Sequence, residues 1–365
     1  MGRRVIIMAG GTGGHVYPAL AVANLLIAEG HQVTWLGTRK GLEARVVPAA
    51  GIEVEWLAVS GVRGKSLMSR VRAPLMIVRA LWQSLKILRR IQPDVVLGMG
   101  GFVAGPGGLV AAVLGIPLVL HEQNRIPGTT NRWLARWADR VLEAFEGSFP
   151  PRCRAIAVGN PVRADIAALI RHPRAPWADR PLRILVVGGS LGALALNEIV
   201  PEALASLGRS VAIRHQTGPR FQEKTEARYL TLGLEAEVLA YMEDMAEAYR
   251  WADVAICRAG AMTISELALA GLPAVLIPYP HAIDDHQTAN ARLLADPGGA
   301  LLLPQGDLTP HNLALALNTL FDQEDAARHM SHALRLQARP EAAAVVAEHC
   351  LSVIPKKSRL EERSK

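Results

Sequence analysis

Short runs of apolar, β-branched residues recur along the 365-residue chain, each leading into a glycine-containing turn and then a longer amphipathic stretch. The runs at 5–8, 32–36, 53–59, 95–99, 118–121 and 155–158, and again at 184–187, 211–214, 238–240, 254–256 and 274–278, are too short for helices and predict strands. A helix is predicted from Pro18 to about Glu29, closed by Gly30. Strand and helix alternate throughout, which predicts parallel sheets. The pattern starts afresh near Arg183, so the expected fold class is α/β, with two Rossmann-like domains facing a shared cleft. The turn-forming string Gly159-Asn160-Pro161-Val162-Arg163 puts the boundary near residue 160, giving domains 1–160 and 161–340. Pro340 interrupts the last helical region, leaving 341–354 as a separate helix, and the charged tail 356–365 is expected to be disordered.

Each domain opens with a strand that runs into glycines: Ala9-Gly10-Gly11-Thr12-Gly13-Gly14-His15 and Gly188-Gly189-Ser190-Leu191-Gly192-Ala193. Such a turn lets backbone approach a ligand, and the following helix N-terminus favours a phosphate or sugar oxygen. Neither loop completes the G-x-G-x-x-G dinucleotide fingerprint, since Val16 and Ser190 stand where glycines are required. Trp35-Leu36-Gly37-Thr38 offers no carboxylate for a ribose, and Gly64-Lys65-Ser66 has Val59 in place of the first P-loop glycine. Dehydrogenase and P-loop readings therefore fall away.

Composition narrows the class further. Cys153, Cys257 and Cys350 have neither metal-ligand nor redox spacing, which predicts a reducing compartment without structural disulfides. Neither a signal-peptide core nor an apolar stretch of membrane-spanning length is present. The net charge of +7 is unevenly spread. Arg70, Arg72, Arg79, Lys86, Arg89 and Arg90 alternate at helical spacing with Leu75, Val78, Leu81, Trp82, Leu85 and Leu88. A second arginine and tryptophan segment, Arg132-Trp133-Leu134-Ala135-Arg136-Trp137, is followed by Arg140. Both are open to two readings, a core helix with a solvated basic face or a membrane-surface contact. Nucleic-acid binding motifs are absent.

In parallel sheets ligands gather beyond the carboxyl ends of strands, so the polar residues that follow strands are the chemical candidates. These include Thr12 and His15, then His121-Glu122-Gln123-Asn124, Ser190, Met242, Arg258, Thr263, Ser265, Glu266, Gln287 and Asn290. They compose neither a metal site, nor a G-x-S-x-G elbow, nor a glycosidase acid pair, but they are rich in hydrogen-bonding groups suited to a sugar nucleotide. A helix beginning near Ala261 aims its amides at a diphosphate, while Glu266 can accept from ribose hydroxyls. His15, expected on a flexible loop at the cleft mouth, is the leading general-base candidate, with His121 and Glu122 as rivals.

In order, Gly10 to His15, Gly98-Met99-Gly100-Gly101-Phe102, His121 to Asn124, Gly159 to Arg163, Gly188 to Ala193, and Arg258-Ala259-Gly260-Ala261 with Glu266 resemble the bacterial peptidoglycan glycosyltransferases that convert lipid I to lipid II. The resemblance runs from Gly10 to near Ile354 and implies a glycosyltransferase of B type, inverting, with no metal and no cofactor. The implied reaction moves N-acetylglucosamine (GlcNAc) from UDP-GlcNAc to the muramoyl 4-hydroxyl of undecaprenyl-pyrophosphoryl-MurNAc-pentapeptide. Donor contacts carry over to Thr12, Gly13, Gly14, Asn124, Arg163, Ser190, Met242, Ala261, Met262, Thr263, Ile264, Ser265, Glu266 and Gln287, with Met242 serving uracil through its backbone. The second domain would hold most of the donor, and the last helix would return to the first domain, which serves acceptor and membrane. The resemblance also implies a peripheral place on the cytoplasmic side of the inner membrane, which gives the 70–90 segment a reason, with other cell-wall synthesis proteins as candidate partners and no nucleic acid. Rival readings are another UDP-sugar-dependent lipid glycosyltransferase, a UDP-GlcNAc epimerase of the same fold, or a non-catalytic membrane-bound sensor of UDP-sugars.

Overall fold

A computed structural model describes residues 2–60, 67–169, 180–189, 192–322 and 324–355. Seven strands form the first sheet: β1 (Arg4–Met8), β2 (Gln32–Gly37), β3 (Glu53–Trp56), β4 (Val95–Gly98), β5 (Leu118–Glu122), β6 (Arg140–Glu143) and β7 (Ile156–Ala157). Their order is β3-β2-β1-β4-β5-β6-β7, and every pairing is parallel. The sheet grows in one direction through β3 and in the other from β4 onward, so the ends of β1 and β4 flank the switch point where such sheets leave a crevice. The connecting helices are α1 (Gly13–Ala28), α2 (Glu43–Ala49), α3 (Leu67–Ile91), α4 (Ala104–Val113) and α5 (Thr129–Leu134).

A second sheet repeats the plan with β8 (Leu182–Val187), β9 (Val211–Gln216), β10 (Ala236–Leu239), β11 (Val254–Cys257), β12 (Ala274–Leu276) and β13 (Ala300–Leu302), in the parallel order β10-β9-β8-β11-β12-β13. Its switch point lies between β8 and β11. Around it run α6 (Ala164–Ala167), α7 (Leu194–Ala205), α8 (Gln222–Thr231), α9 (Met245–Trp251), α10 (Ala261–Ala270), α11 (His286–Ala295), α12 (Pro310–Phe321) and α13 (Glu324–Leu336). A final helix, α14 (Ala342–Ser352), leaves this group and packs on α1, β4 and β5. Val346, Ala347 and Cys350 thereby join Val16, Ala19, Val22, Ala23 and Leu26 in one buried cluster. The chain divides into two compact units, one running to Pro161 and resuming at Glu341, the other Val162–Pro340.

Several elements depart from the sequence expectation for identifiable reasons. β6 escapes notice because only Val141 and Leu142 lie between its charged ends, and β13 because it is three residues long. The first helix starts at Gly13, five residues before Pro18, so that His15 sits in its first turn and not on a flexible loop. Proline is tolerated there at the loss of one backbone bond near the helix start. The segment after α5 is not a continuing amphipathic helix, for the helix ends at Leu134 and Arg140 opens β6. Trp133 and Trp137 instead stack edge to face at 4.5 Å, with the Arg136 guanidinium over both rings.

Helix α3 divides the apolar residues that its sequence groups together. Ala80, Ser84, Ile87 and Leu88 are buried, whereas Leu75, Val78 and Trp82 point outward, Leu75 being 74% exposed. The Lys86 ammonium lies 4.3 Å from the Trp82 ring. The side chains of Arg70 and Arg72, residues 64–66 and the tail 356–365 lie outside the described residues. Among those described, no helix is long and apolar enough to cross a membrane.

Candidate functional site

At the first switch point three strand ends bring their side chains together. His15, in the first turn of α1 after β1, places Nδ1 2.8 Å from Gln123 Oε1, just beyond β5. Its ring also lies against Gly100 after β4, where a Cβ would stand 3.0 Å from the imidazole and φ is +94°. Only glycine leaves that space and readily adopts that backbone. Gln123 Nε2 is 3.0 Å from His121 Nδ1 and 3.2 Å from the His121 carbonyl oxygen, while His121 Nε2 is 2.9 Å from the Gly159 carbonyl oxygen. His121 is fully buried, and loss of hydration pushes its pKa down to about 4.

Two buried carboxylates hold the loops around His15. Glu43 accepts from the Gly11 amide at 3.0 Å, the Thr38 amide at 3.0 Å and the Thr38 hydroxyl at 2.7 Å, which ties the first glycine loop to the end of β2. Glu122 accepts from the Asn124 amide and side chain, the Gly128 amide and the Asn131 side chain, which fixes the turn after β5. Both carboxylates bind backbone donors that would otherwise be stranded, and such charge-assisted bonds are the stronger kind.

The second switch point is made differently. The turn after β8 is held by backbone proximity: at Gly192, with φ +76°, a Cβ would stand 2.0 Å from the Thr217 carbonyl oxygen. After β11, Gly260 caps α10 without a side-chain bond, and the first intrahelical donor is the Ile264 amide to Gly260 O at 3.0 Å. The amides of Met262 and Thr263 thus stand at a helix N-terminus, where partial positive charge accumulates. One turn on, Glu266 receives the Tyr249 hydroxyl at 2.7 Å. Burial pushes its carboxyl up to about 7, against the opposing Tyr249 hydrogen bond and Arg163 charge. Tyr249 itself is buried and held well above the usual phenol range.

Family models match both halves: the glycosyltransferase family 28 N-terminal domain over residues 5–143 and the family 28 C-terminal domain over 183–346. The chain belongs to glycosyltransferase family 28. Curated family 28 relatives carrying the name UDP-N-acetylglucosamine--N-acetylmuramyl-(pentapeptide) pyrophosphoryl-undecaprenol N-acetylglucosamine transferase include one from Methylococcus capsulatus, 60% identical over 96% of this chain and 99% of its own. A Ralstonia nicotianae protein of the same name is 52% identical over 96% of both chains. Among solved structures, Acinetobacter baumannii MurG superposes with a TM-score of 0.81 at 42% identity, covering 96% of this chain and all of that one. A UDP-N-acetylglucosamine 2-epimerase shares the fold alone, at 14% identity, TM-score 0.65 and 96% coverage of both chains. Two parallel-sheet α/β domains of glycosyltransferase B type are the family 28 architecture seen here.

The residues singled out in this family 28 chain fall into three groups. Thr12, Gly13, Gly14, His15 and Asn124 gather at the first switch point, with Thr12 exposed and making no side-chain capping bond. Arg163 caps α6 beside Asp165, Met242 is buried after β10, and Gln287 at the start of α11 accepts the Tyr279 amide at 2.9 Å. Within α10, Ala261 and Ile264 are buried. The Ser265 hydroxyl donates back to Ala261 O at 2.9 Å. Ser190 lies outside the described residues. Of the two rival bases, Glu122 has four donors on its carboxylate, and His121 is buried and bonded at both nitrogens. Sequence reading missed Glu43, which sits in an unpatterned charged stretch, and Tyr249, masked by its apolar context; it placed Gln123 among the polar candidates after β5 but gave it no role. Arg258 bonds the carbonyls of Ile277 and Pro278 and the Gln305 side chain, which makes it a brace for the loop after β12. Among the described residues no group of three or more His, Cys, Asp or Glu side chains is arranged to hold a metal ion.

Proposed function

We propose that the chain transfers N-acetylglucosamine from UDP-N-acetylglucosamine to the muramoyl 4-hydroxyl of undecaprenyl-pyrophosphoryl-MurNAc-pentapeptide, forming lipid II for the cell wall. The carrying observation is the 60% identity, over nearly the full length of both chains, to a relative bearing the name of that transferase. In this reading the hydroxyl oxygen bonds to the anomeric carbon of the donor sugar as the bond from that carbon to the diphosphate breaks. The hydroxyl proton passes to His15 and the electron pair leaves with UDP. In the Met1–Pro161 unit the donor contacts are Thr12, Gly13, Gly14 and Asn124. In the Val162–Pro340 unit they are Arg163, Ser190, Met242, Ala261 to Glu266 and Gln287. The Met262 and Thr263 amides receive diphosphate charge, and Glu266 accepts from ribose hydroxyls.

The site residues support a second assignment, of place. Leu75, Val78 and Trp82 expose an apolar strip on α3 flanked by Arg79, Lys86, Arg89 and Arg90, a composition that suits an anionic lipid surface. The protein accordingly works as a peripheral enzyme on the cytoplasmic face of the inner membrane, with the lipid-linked acceptor reached from the first domain. Other cell-wall synthesis proteins are partners consistent with that position.

Incubation with labelled UDP-N-acetylglucosamine and a lipid I analogue tests the reaction, with labelled disaccharide-lipid and UDP expected in equal amounts. Donor consumed without glycosylated acceptor would sink the reading. For the location, flotation with vesicles containing anionic lipid is expected to recover the protein, and Trp82→Ser with Val78→Ser to lower recovery several-fold. Unchanged flotation of the double variant would remove α3 from the contact.

A further inference from the structure

Two backbone carbonyls determine where every proton lies along the chain of contacts that ends at His15. A carbonyl oxygen can only accept, so His121 Nε2, 2.9 Å from Gly159 O, must carry hydrogen. A neutral His121, favoured by its burial, then presents a bare lone pair at Nδ1. The Gln123 nitrogen end faces that lone pair at 3.0 Å and also the His121 carbonyl oxygen at 3.2 Å, two acceptors that only the NH₂ group can satisfy. The amide orientation is therefore set, and its oxygen is what faces His15 Nδ1 at 2.8 Å. That oxygen accepts, so His15 Nδ1 must donate.

We propose that Gln123, oriented by His121, is a positioning residue that fixes the tautomer of His15, holding hydrogen on Nδ1 and leaving the basic lone pair on Nε2. The inference rests on the reading of His15 as the general base. Left alone, imidazole exchanges between two tautomers of comparable energy and turns freely about its side-chain bonds. Here the ring is held by one hydrogen bond and by the Cβ-free surface of Gly100. Because an amide is neutral, it orients the ring without the charge that a carboxylate partner would place beside the imidazolium formed in the reaction. The arrangement performs the orienting task of the third member of a catalytic triad with a neutral group.

The test combines nitrogen NMR of the histidine rings with turnover. In the full-length protein with no substrate, the His15 ring is expected as the Nδ1–H tautomer, and a predominantly Nε2–H ring would overturn the proposal. Gln123→Met, similar in length but without donor or acceptor, is expected to give mixed His15 tautomers and a kcat lower by about 10- to 100-fold, with the KM for donor little changed. Gln123→Glu keeps an oxygen toward His15 Nδ1 and, with one proton taken up between its carboxyl and His121 Nδ1, is expected to restore the Nδ1–H tautomer and most of kcat. The proposal is overturned if Gln123→Met keeps both tautomer and kcat, or if Gln123→Glu is as impaired as Gln123→Met. Failure of the underlying base assignment looks different: His15→Ala would then turn over normally while the wild-type tautomer stayed as inferred.

Discussion

Around the turn after β1, glycines are approached both by a side chain, the His15 ring against Gly100, and by backbone, Gly10 O against Gly101; around the turn after β8 the close approach is backbone alone, Thr217 O against Gly192. The carboxylates of the two regions differ more. Glu43 and Glu122 beside the first turn are each surrounded by donors, and they spend their capacity on holding loops. Glu266 beside the second has the Tyr249 hydroxyl as its hydrogen bond and a carboxyl pushed up to about 7. The first region is thus a dense polar framework around one imidazole, in which Asn131 Oδ1 is left without a partner among the described residues, whereas the second has a carboxyl with one hydrogen bond beside a helix terminus. Under the proposed function, similar glycine strings serve different ends, orientation of a reacting group in one unit and reception of an anionic ligand in the other.

The backbone side of this contrast is the most exposed to disruption. Gly192→Ala forces a Cβ into a carbonyl at a positive φ and is expected to cost more than about 4 kcal/mol, with loss of the cooperative melting of the Val162–Pro340 unit. Gly189→Ala, also at positive φ (+84°) but facing open space, should cost only about 1 kcal/mol. Equal melting of the two variants would show that the close approach is not what matters.

Next in size is His15→Ala, expected to lower kcat by about 10²- to 10⁴-fold while calorimetric donor affinity stays within a few-fold of wild type. A parallel loss of donor affinity would erase the division of labour between the two regions.

The buried His121 gives the framework a pH signature. Its pKa is near 4 in the fold and about 6.5 unfolded, so the unfolded chain binds more protons between those values and stability falls as pH drops through that window. At 1.36 kcal/mol per unit the full effect is about 3 kcal/mol. His121→Gln, which retains a donor toward Gly159 O, is expected to flatten the slope seen in thermal melts between pH 6.5 and 4. His215, buried on β9 and pushed down to about 3, acts in the same direction in the other unit and serves as the internal comparison.

The smallest effect concerns Glu266. Its raised pKa means that the fold binds the proton more tightly than the unfolded chain, so stability declines as pH rises from about 4.5 to 7, and Glu266→Gln should remove that decline. Because the ionised carboxylate is the better acceptor for two hydroxyls, the same variant should weaken UDP-donor affinity about tenfold at pH 8 and less at pH 6. An unaltered affinity at both pH values would take Glu266 out of the ribose contact.

How much of this was legible in the sequence follows from which signals are local. Apolar runs ending in glycine gave the central strands of both sheets, since a buried parallel strand must be almost wholly apolar. β6, which pairs with β5 and β7, and the edge strand β13 were missed because two or three apolar residues make no period. The candidate residues His15, Asn124 and Glu266 stood out as polar groups directly after strands. Glu43 did not, because its importance arises from Gly11, 32 positions away, and Gln123 was visible as a candidate but not its role, which arises from His15, 108 positions away. The α3 helix shows the opposite limit: its periodicity marks an amphipathic helix correctly but cannot say that Trp82 and Leu88 face different surroundings.

The return of α14 to the first sheet has a consequence in time as well as space. Val346, Ala347 and Cys350 fill the cluster built on α1 and the strands β1 and β4, so the first unit lacks part of its interior until α14 has left the ribosome. The inserted unit, Val162–Pro340, is contiguous and can complete its fold first. A nascent chain stopped before residue 341 would therefore carry a finished second unit and an apolar scar on the first, a natural target for proteolysis.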